Sequence, residues 1–179
     1  NYRHSTTIYE TYGMSETLSH IALKELWPFT QDYFSTLAGI SISTDERGCL
    51  TIFAPELLAE PIQTNDLVEI TAEEEFRFLG RTDNVINSGG AKIFPEILEA
   101  FIKKHIPGEA YFVGIPDDKL GQKLTLAIES EIDEDLMDSL QKLKYEKSFH
   151  RPKEIIFVEQ IPRTPNGKVD RRALTEMLS

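Results

Sequence analysis

A chain of 179 residues, 40% apolar and 27% charged, is large enough for one ordinary domain, or for one small domain with part of another. No apolar run approaches the roughly 18 residues of a membrane span, and a net charge of −11 leaves no basic stripe to displace the counterions of nucleic-acid phosphates. The single Cys49 excludes an internal disulfide and cannot build a zinc site alone; it fits an intracellular, cytoplasmic origin and reads as a small buried residue within Gly48–Ile52.

In chain order, the opening residues Asn1 to Glu10 read as mid-domain sequence rather than a signal peptide, so the expectation is a chain cut from a longer protein. Thr6 to Tyr12, rich in β-branched and aromatic residues, predicts a strand ending at Gly13. Tyr12-Gly13-Met14-Ser15-Glu16 then falls on the loop beyond its C-terminal end, where open α/β sheets place ligands. Taken alone, Glu16 is an ordinary solvent-facing carboxylate. Thr17 to Leu26 fits either an extended segment or an amphipathic helix. From Ala38 to Ile70 the signals are short strands, Ile40 to Ser43, Leu50 to Phe53 and Leu67 to Ile70, separated by turn residues at 44–48 and by Pro55 and Pro61. That spacing suggests a small antiparallel or barrel-like subdomain. Thr64-Asn65-Asp66 precedes the last of these strands and reads as a turn in which Asn65 tolerates left-handed backbone.

A strand from Phe76 to Leu79 leads into the charged turn Arg81 to Asp83, the apolar pair Val85-Ile86, and Gly89-Gly90. On spacing alone this is either a hinge or a β-hairpin whose glycines are merely its turn. Composition changes here, from a net −9 over residues 1–79 to −2 over residues 80–179. Beyond it, Pro95 to His105 predicts a helix with Ile97, Leu98, Phe101 and Ile102 on one face, begun by Pro95 and ended by Pro107-Gly108. Ala110 to Ile115, Leu124 to Ile128 and Ile155 to Val158 predict strands, and Asp133 to Tyr145 and Arg171 to Leu178 predict helices. Pro165-Asn166-Gly167 is a tight turn that leaves Lys168 at the base of an exposed hairpin, ordinarily a surface charge. Arg163, Lys168, Arg171 and Arg172 make residues 160–179 locally basic, a place where a phosphate-bearing ligand fits, although solvated surface charge is the simpler reading.

Three of these stretches, in this order, resemble the signatures of the adenylate-forming acyl-CoA synthetase superfamily, which also contains luciferases and peptide-synthetase adenylation domains. They are Tyr12-Gly13-Met14-Ser15-Glu16, the linker Gly80-Arg81-Thr82-Asp83-Asn84-Val85-Ile86-Asn87-Ser88-Gly89-Gly90-Ala91-Lys92, and Pro165-Asn166-Gly167-Lys168-Val169-Asp170-Arg171. The resemblance implies an α+β fold: residues 1–80 as the end of a large N-terminal lobe with its barrel-like subdomain, and residues 81–179 as a small mobile C-terminal lobe hinged at Asp83. It implies ATP, Mg²⁺ and CoA as ligands with a small carboxylic acid as substrate, and no nucleic acid or membrane.

The resemblance also assigns roles. Tyr12 flanks the adenine, Ser15 touches phosphate where Thr is commoner, and Glu16 holds Mg²⁺. Asp66 matches the acceptor of the ribose hydroxyls, with Asn65 where the family carries Gly. Arg81 holds the ribose, Lys92 steadies the loop or reaches the nucleotide, and Gly89 and Gly90 leave room for a pantetheine arm. Lys168 stands at the catalytic lysine, whose ammonium relieves repulsion between the substrate carboxylate and the α-phosphate of ATP. Ser19 and His20 fall along the acyl pocket, where an imidazole suits a substrate with a second carboxylate. Tyr-Gly-Met-Ser-Glu-Thr followed by Ser-His-Ile-Ala is most like the o-succinylbenzoate-CoA ligases of menaquinone synthesis. The family's Ser/Thr/Gly-rich phosphate loop does not occur in this sequence, so the isolated chain is expected to be inactive. Two alternatives share these motifs: an adenylation domain that loads a carrier-protein thiol, and a non-catalytic nucleotide- or partner-binding module.

Overall fold

In the computed structural model, described over residues 6–106 and 108–179, the chain separates into two compact units, Asn1–Thr82 and Asp83–Ser179. The proposed helix stop at Pro107 lies outside the described residues.

The first unit is one antiparallel sheet built from β1 (Ile8–Gly13), β2 (His20–Trp27), β3 (Phe34–Thr36), β4 (Ser41–Thr44), β5 (Cys49–Phe53), β6 (Ile62–Ala72) and β7 (Glu75–Arg81). Its seven strands run in the order β1-β2-β3-β7-β6-β5-β4. This path is open, with no closed barrel among the described residues, and that corrects the barrel-like expectation. Alternating side chains bury Ile21, Phe34, Leu50, Ile52, Val68 and Phe76 in one core, where Phe34 and Phe76 stack with ring centroids 5.5 Å apart. Cys49 is fully buried within β5.

Three sequence expectations change in this unit. The ambiguous Thr17 to Leu26 resolves into strand β2 from His20 onward, with Thr17 closing a 3-10 turn, and the Tyr12 to Glu16 motif runs from the end of β1 into that turn of an antiparallel β1–β2 hairpin rather than lying at a parallel α/β edge. Thr64-Asn65-Asp66 is not a turn. It lies inside β6, where Thr64, Asp66 and Val68 alternate onto the buried face and Asn65 points outward to accept a hydrogen bond from Arg47 Nη1 at 3.0 Å. Asn65 is absent from the left-handed positions, and Leu18 is the one described non-glycine residue there, with φ 58°.

The second unit carries β8 (Ile86–Ser88), β9 (Ala91–Ile93), α1 (Pro95–Ile102), β10 (Ala110–Asp117), β11 (Gly121–Glu129), α2 (Glu134–Lys142), β12 (Glu154–Val158) and α3 (Arg171–Leu178). The sheet order is β10-β11-β8-β9, with β12 parallel to β11. Both faces of β10 and β11 are covered, which explains their near-continuous apolar runs. Phe112, Leu124, Leu126 and Ile128 pack with Leu98 and Ile102 of α1 and Leu140 of α2. On the other face Val113, Ile115 and Ala127 meet Ile161 and Leu174 of α3.

Caps set the helix starts. Asp133 and Asp170 accept hydrogen bonds from the N–H groups of Leu136 (2.8 Å) and Ala173 (3.0 Å), and Pro95 occupies the first turn of α1. The helix ends fall short of expectation: α1 stops at Ile102 and α2 at Lys142, and Ile97, at 38% exposed, leaves the buried stripe. No helix among the described residues is long and apolar enough to cross a membrane.

Candidate functional site

In the first unit the fold gathers Tyr12, Asp66 and Arg81. Asp66 comes from the buried face of β6 and Arg81 is its register partner at the end of β7. Tyr12 donates its phenol proton to Asp66 Oδ2 at 2.5 Å, and Arg81 Nη1 donates to Asp66 Oδ1 at 3.2 Å. Both carboxylate oxygens are thus engaged, and the Asp66 N–H is held by Thr64 Oγ1 at 3.0 Å. The Tyr12 ring packs edge-on against Phe76 at 5.1 Å and tilted against Phe34 at 5.7 Å. Burial, then the hydrogen bond to and the charge of Asp66, push the Tyr12 phenol well above the ordinary tyrosine value.

The turn between β1 and β2 presents the next four candidates. Ser15, Glu16, Ser19 and His20 are all exposed, with Ser19 Oγ 3.2 Å from His20 Nδ1. A buried residue the motif reading passed over, Thr17, holds this turn together: its hydroxyl accepts from the Met14 N–H at 3.1 Å and lies 2.7 Å from the Ser19 carbonyl. Gly13 is required by close approach, since a Cβ there would stand 2.6 Å from the Ser19 carbonyl oxygen and 2.7 Å from His20 Cα. Thr11, Gly13, Met14, Leu18, Ser19 and His20 line a shallow depression of about 310 Å³.

Glu16 is a lone carboxylate, and no group of three or more His, Cys, Asp or Glu poised for a metal occurs among the described residues. Such a donor set fits Mg²⁺ only as one ligand of an ion held mainly by a nucleotide's phosphates.

In the second unit Asp83 lies in a 3-10 turn, Thr82–Asn84, and is exposed. Gly89 and Gly90 form the two-residue turn of the β8–β9 hairpin with φ of 58° and 83°, the doubly positive pattern that such turns demand of glycine. The Gly89 N–H donates to the Leu120 carbonyl at 2.9 Å, and Lys92 is exposed on β9 opposite Asn87.

Lys168 sits on a separate hairpin between β12 and α3, with Arg163 bridged to Val169. Its side chain is exposed and makes no ion pair among the described residues, whereas the cations around it are committed. Arg171 forms a bidentate pair with Glu99 at 2.8 and 2.7 Å, Arg163 lies 3.5 Å from Glu109, and Arg172 pairs with Glu176 at 3.0 Å. The basic patch expected over residues 160–179 is therefore largely neutralised, and Lys168 is its available charge. Arg47 also escaped sequence reasoning; it reaches from the 44–48 turn to the Thr64 carbonyl at 3.0 Å, bracing the segment that carries Asp66.

No protein-family model matches the chain. It is 33% identical over 112 residues to a 3-oxocholest-4-en-26-oate–CoA ligase of Rhodococcus rhodochrous, covering 60% of this chain and 20% of that protein. With a 2-succinylbenzoate–CoA ligase of Lactococcus lactis the identity is 26% over 186 residues, covering 93% of this chain and 41% of the relative. The chain thus spans less than half the length of these curated relatives. Among solved structures, an acyl-CoA synthetase (AMP-forming)/AMP-acid ligase II-like protein of Dyadobacter fermentans matches with 38% identity and a TM-score of 0.52, over 99% of this chain and 53% of that one. The chain has the sequence and the fold of the C-terminal region of the AMP-forming acyl-CoA ligase superfamily.

Proposed function

We propose that the chain serves as the C-terminal part of an ATP-dependent acid–CoA ligase, with residues 83–179 as a lobe that swivels about Asp83. The observation that carries this reading is the Tyr12–Asp66–Arg81 set, which holds a carboxylate beside an aromatic ring and a guanidinium, the groups suited to a ribose diol, an adenine and the charge near them. In the first half-reaction a carboxylate oxygen of the acid attacks the α-phosphorus of ATP and pyrophosphate leaves. Two anions must approach before that bond forms, and the exposed Lys168 ammonium supplies the compensating charge. Ser15 contacts phosphate, Lys92 steadies the nucleotide or its loop, and Glu16 contributes a ligand to Mg²⁺, which screens the phosphates.

In the second half-reaction the thiol sulfur of CoA attacks the acyl carbon, loses its proton, and AMP leaves. A lysine filling the site obstructs that approach, so the lobe turns, withdrawing Lys168 and presenting Gly89-Gly90 to the pantetheine arm. For the acid we favour o-succinylbenzoate, on the Lactococcus lactis similarity across 93% of the chain and on the exposed Ser19–His20 pair, which suits a second carboxylate.

The test uses this sequence joined to a complete N-terminal lobe, with ATP, Mg²⁺ and o-succinylbenzoate. Lys168→Ala is expected to lower acyl-adenylate formation at least ~100-fold, as for loss of a principal charge-stabilising group, while thioester formation from preformed acyl-adenylate persists. Undiminished adenylation by Lys168→Ala overturns the proposal.

A further inference from the structure

We propose that the part-buried Glu99–Arg171 pair is a positioning device: it fixes the orientation of the hairpin 161–171 that carries Lys168. The proposal reads the second unit alone, and its catalytic consequence rests on the role given to Lys168 above. The hairpin is fastened at both legs. On the incoming leg Ile161 is fully buried, and its N–H donates to the Glu129 carboxylate at 2.7 Å. On the outgoing leg the Asp170 N–H returns to the Pro162 carbonyl at 2.8 Å while the Asp170 side chain caps α3. Arg171 then drives both Nη groups into Glu99 of α1 and donates to the Phe112 carbonyl at 2.9 Å, and Glu99 in turn accepts from the Phe112 N–H at 2.8 Å. One fork therefore ties α3, α1 and β10 within three residues of Lys168.

At the tip, the Lys168 carbonyl accepts from the Thr164 N–H at 2.7 Å, and the Gly167 N–H closes the turn onto the Thr164 carbonyl at 2.8 Å. The result is a rigid backbone arm with an exposed side chain.

Stability alone does not call for this arrangement. Buried ion pairs are often replaceable by apolar residues of similar volume with no loss. What a leucine–methionine contact cannot reproduce is the fixed direction of a planar, bidentate fork. That directional requirement is what an arm delivering one ammonium to a reacting centre imposes.

The experiment is hydrogen exchange on the 179-residue chain, comparing wild type, the apolar double variant Glu99→Leu/Arg171→Met, and Arg171→Lys, which keeps the charge but loses the fork. In variants whose α1 and β10 amides stay protected, the Thr164, Gly167 and Asp170 amides are expected to exchange at least ~10-fold faster than wild type, an opening easier by about 1.4 kcal/mol. Wild-type exchange at those three amides in the folded variants overturns the proposal. Should the double variant fail to fold, Arg171→Lys decides alone. In the same ligase fusion, the loosened arm is expected to lower kcat for adenylation with KM for ATP unchanged and thioester formation from acyl-adenylate intact. A loosened hairpin with undiminished adenylation overturns the positioning role and leaves the clamp as structure alone, while the catalytic role of Lys168 is judged separately by Lys168→Ala.

Discussion

Arg171→Met, with Glu99 left in place, should strongly destabilise the second unit. The two side chains are only 16% and 15% exposed, and Glu99 has three donors, two from Arg171 and one from the Phe112 N–H. Removing the cation leaves a carboxylate buried against α1 and β10 with a single backbone partner, a change that typically costs about 3–5 kcal/mol. A domain of this size shifts its melting midpoint by about 4–8 °C per kcal/mol, so the loss is on the order of 12 °C or more. The neighbouring position is the control. Arg172 pairs with Glu176 at 90% and 66% exposure, so Arg172→Met should be close to neutral by the same calorimetry.

The pH dependence gives a sharper check. Burial raises Glu99 above its ordinary value of 4.5 even though Arg171 pulls it down. A folded value above the unfolded one means a contribution fully present below the ordinary range and lost as pH rises through the folded value. Without Arg171 the loss deepens, so the deficit of Arg171→Met should be greatest near neutrality and shrink as pH falls towards 4.5. A deficit that grows on acidification, or a variant as stable as wild type, refutes the reasoning.

Tyr12→Phe deletes the hydrogen bond to Asp66 and should cost about 1–2 kcal/mol in denaturant titration. Tyr12, Tyr111 and Tyr145 are all held above the ordinary tyrosine value, burial being the first cause for each, so spectrophotometric titration of the variant should lose one late-ionising tyrosine relative to wild type; the stabilising share of Tyr12 is present below pH 10.0 and lost only as pH rises through the higher folded value. Gly13→Ala forces a Cβ to within 2.6 Å of the Ser19 carbonyl and should destabilise the first unit by about 1–3 kcal/mol, read by Trp27 fluorescence; an unchanged midpoint contradicts the close approach. Lys168→Ala should leave the melting midpoint within what ~0.5 kcal/mol allows, separating the catalytic role proposed for it from any structural one.

Local chemistry made the second unit readable in advance. Asp133 and Asp170 cap helices, Pro95 opens one, and the last helix runs from Arg171 to Leu178 as the pattern requires. The doubly covered strands β10 and β11 announce themselves as apolar runs for the same reason. The helix C-termini are not legible because nothing in Lys103 to His105 or Leu143 to Tyr145 is a breaker; the ends show instead as a tightening of the backbone bonds, His105 N–H to the Ile102 carbonyl and Leu143 N–H to the Leu140 carbonyl. In the first unit the order β3-β7-β6 is a matter of non-local pairing, and β6 was cut short because Thr64, Asn65 and Asp66 have turn chemistry while obeying strand alternation.

The candidate site divides along the same line. Residues whose proposed role depends on being presented, Ser15, Glu16, Gly89, Gly90 and Lys168, sit at tight turns that sequence alone can locate. Residues whose role depends on a partner do not: Tyr12 meets Asp66 across 54 positions, and Arg171 meets Glu99 across 72. This distinction corrects the basic patch at residues 160–179. Four cations near one another in sequence look like a phosphate site until the fold brings carboxylates to three of them, and the one left exposed acquires meaning by contrast. A surface lysine among many is unremarkable chemistry; Lys168 differs in that Thr164 holds its carbonyl and carboxylates hold the neighbouring arginines, while its own side chain is exposed.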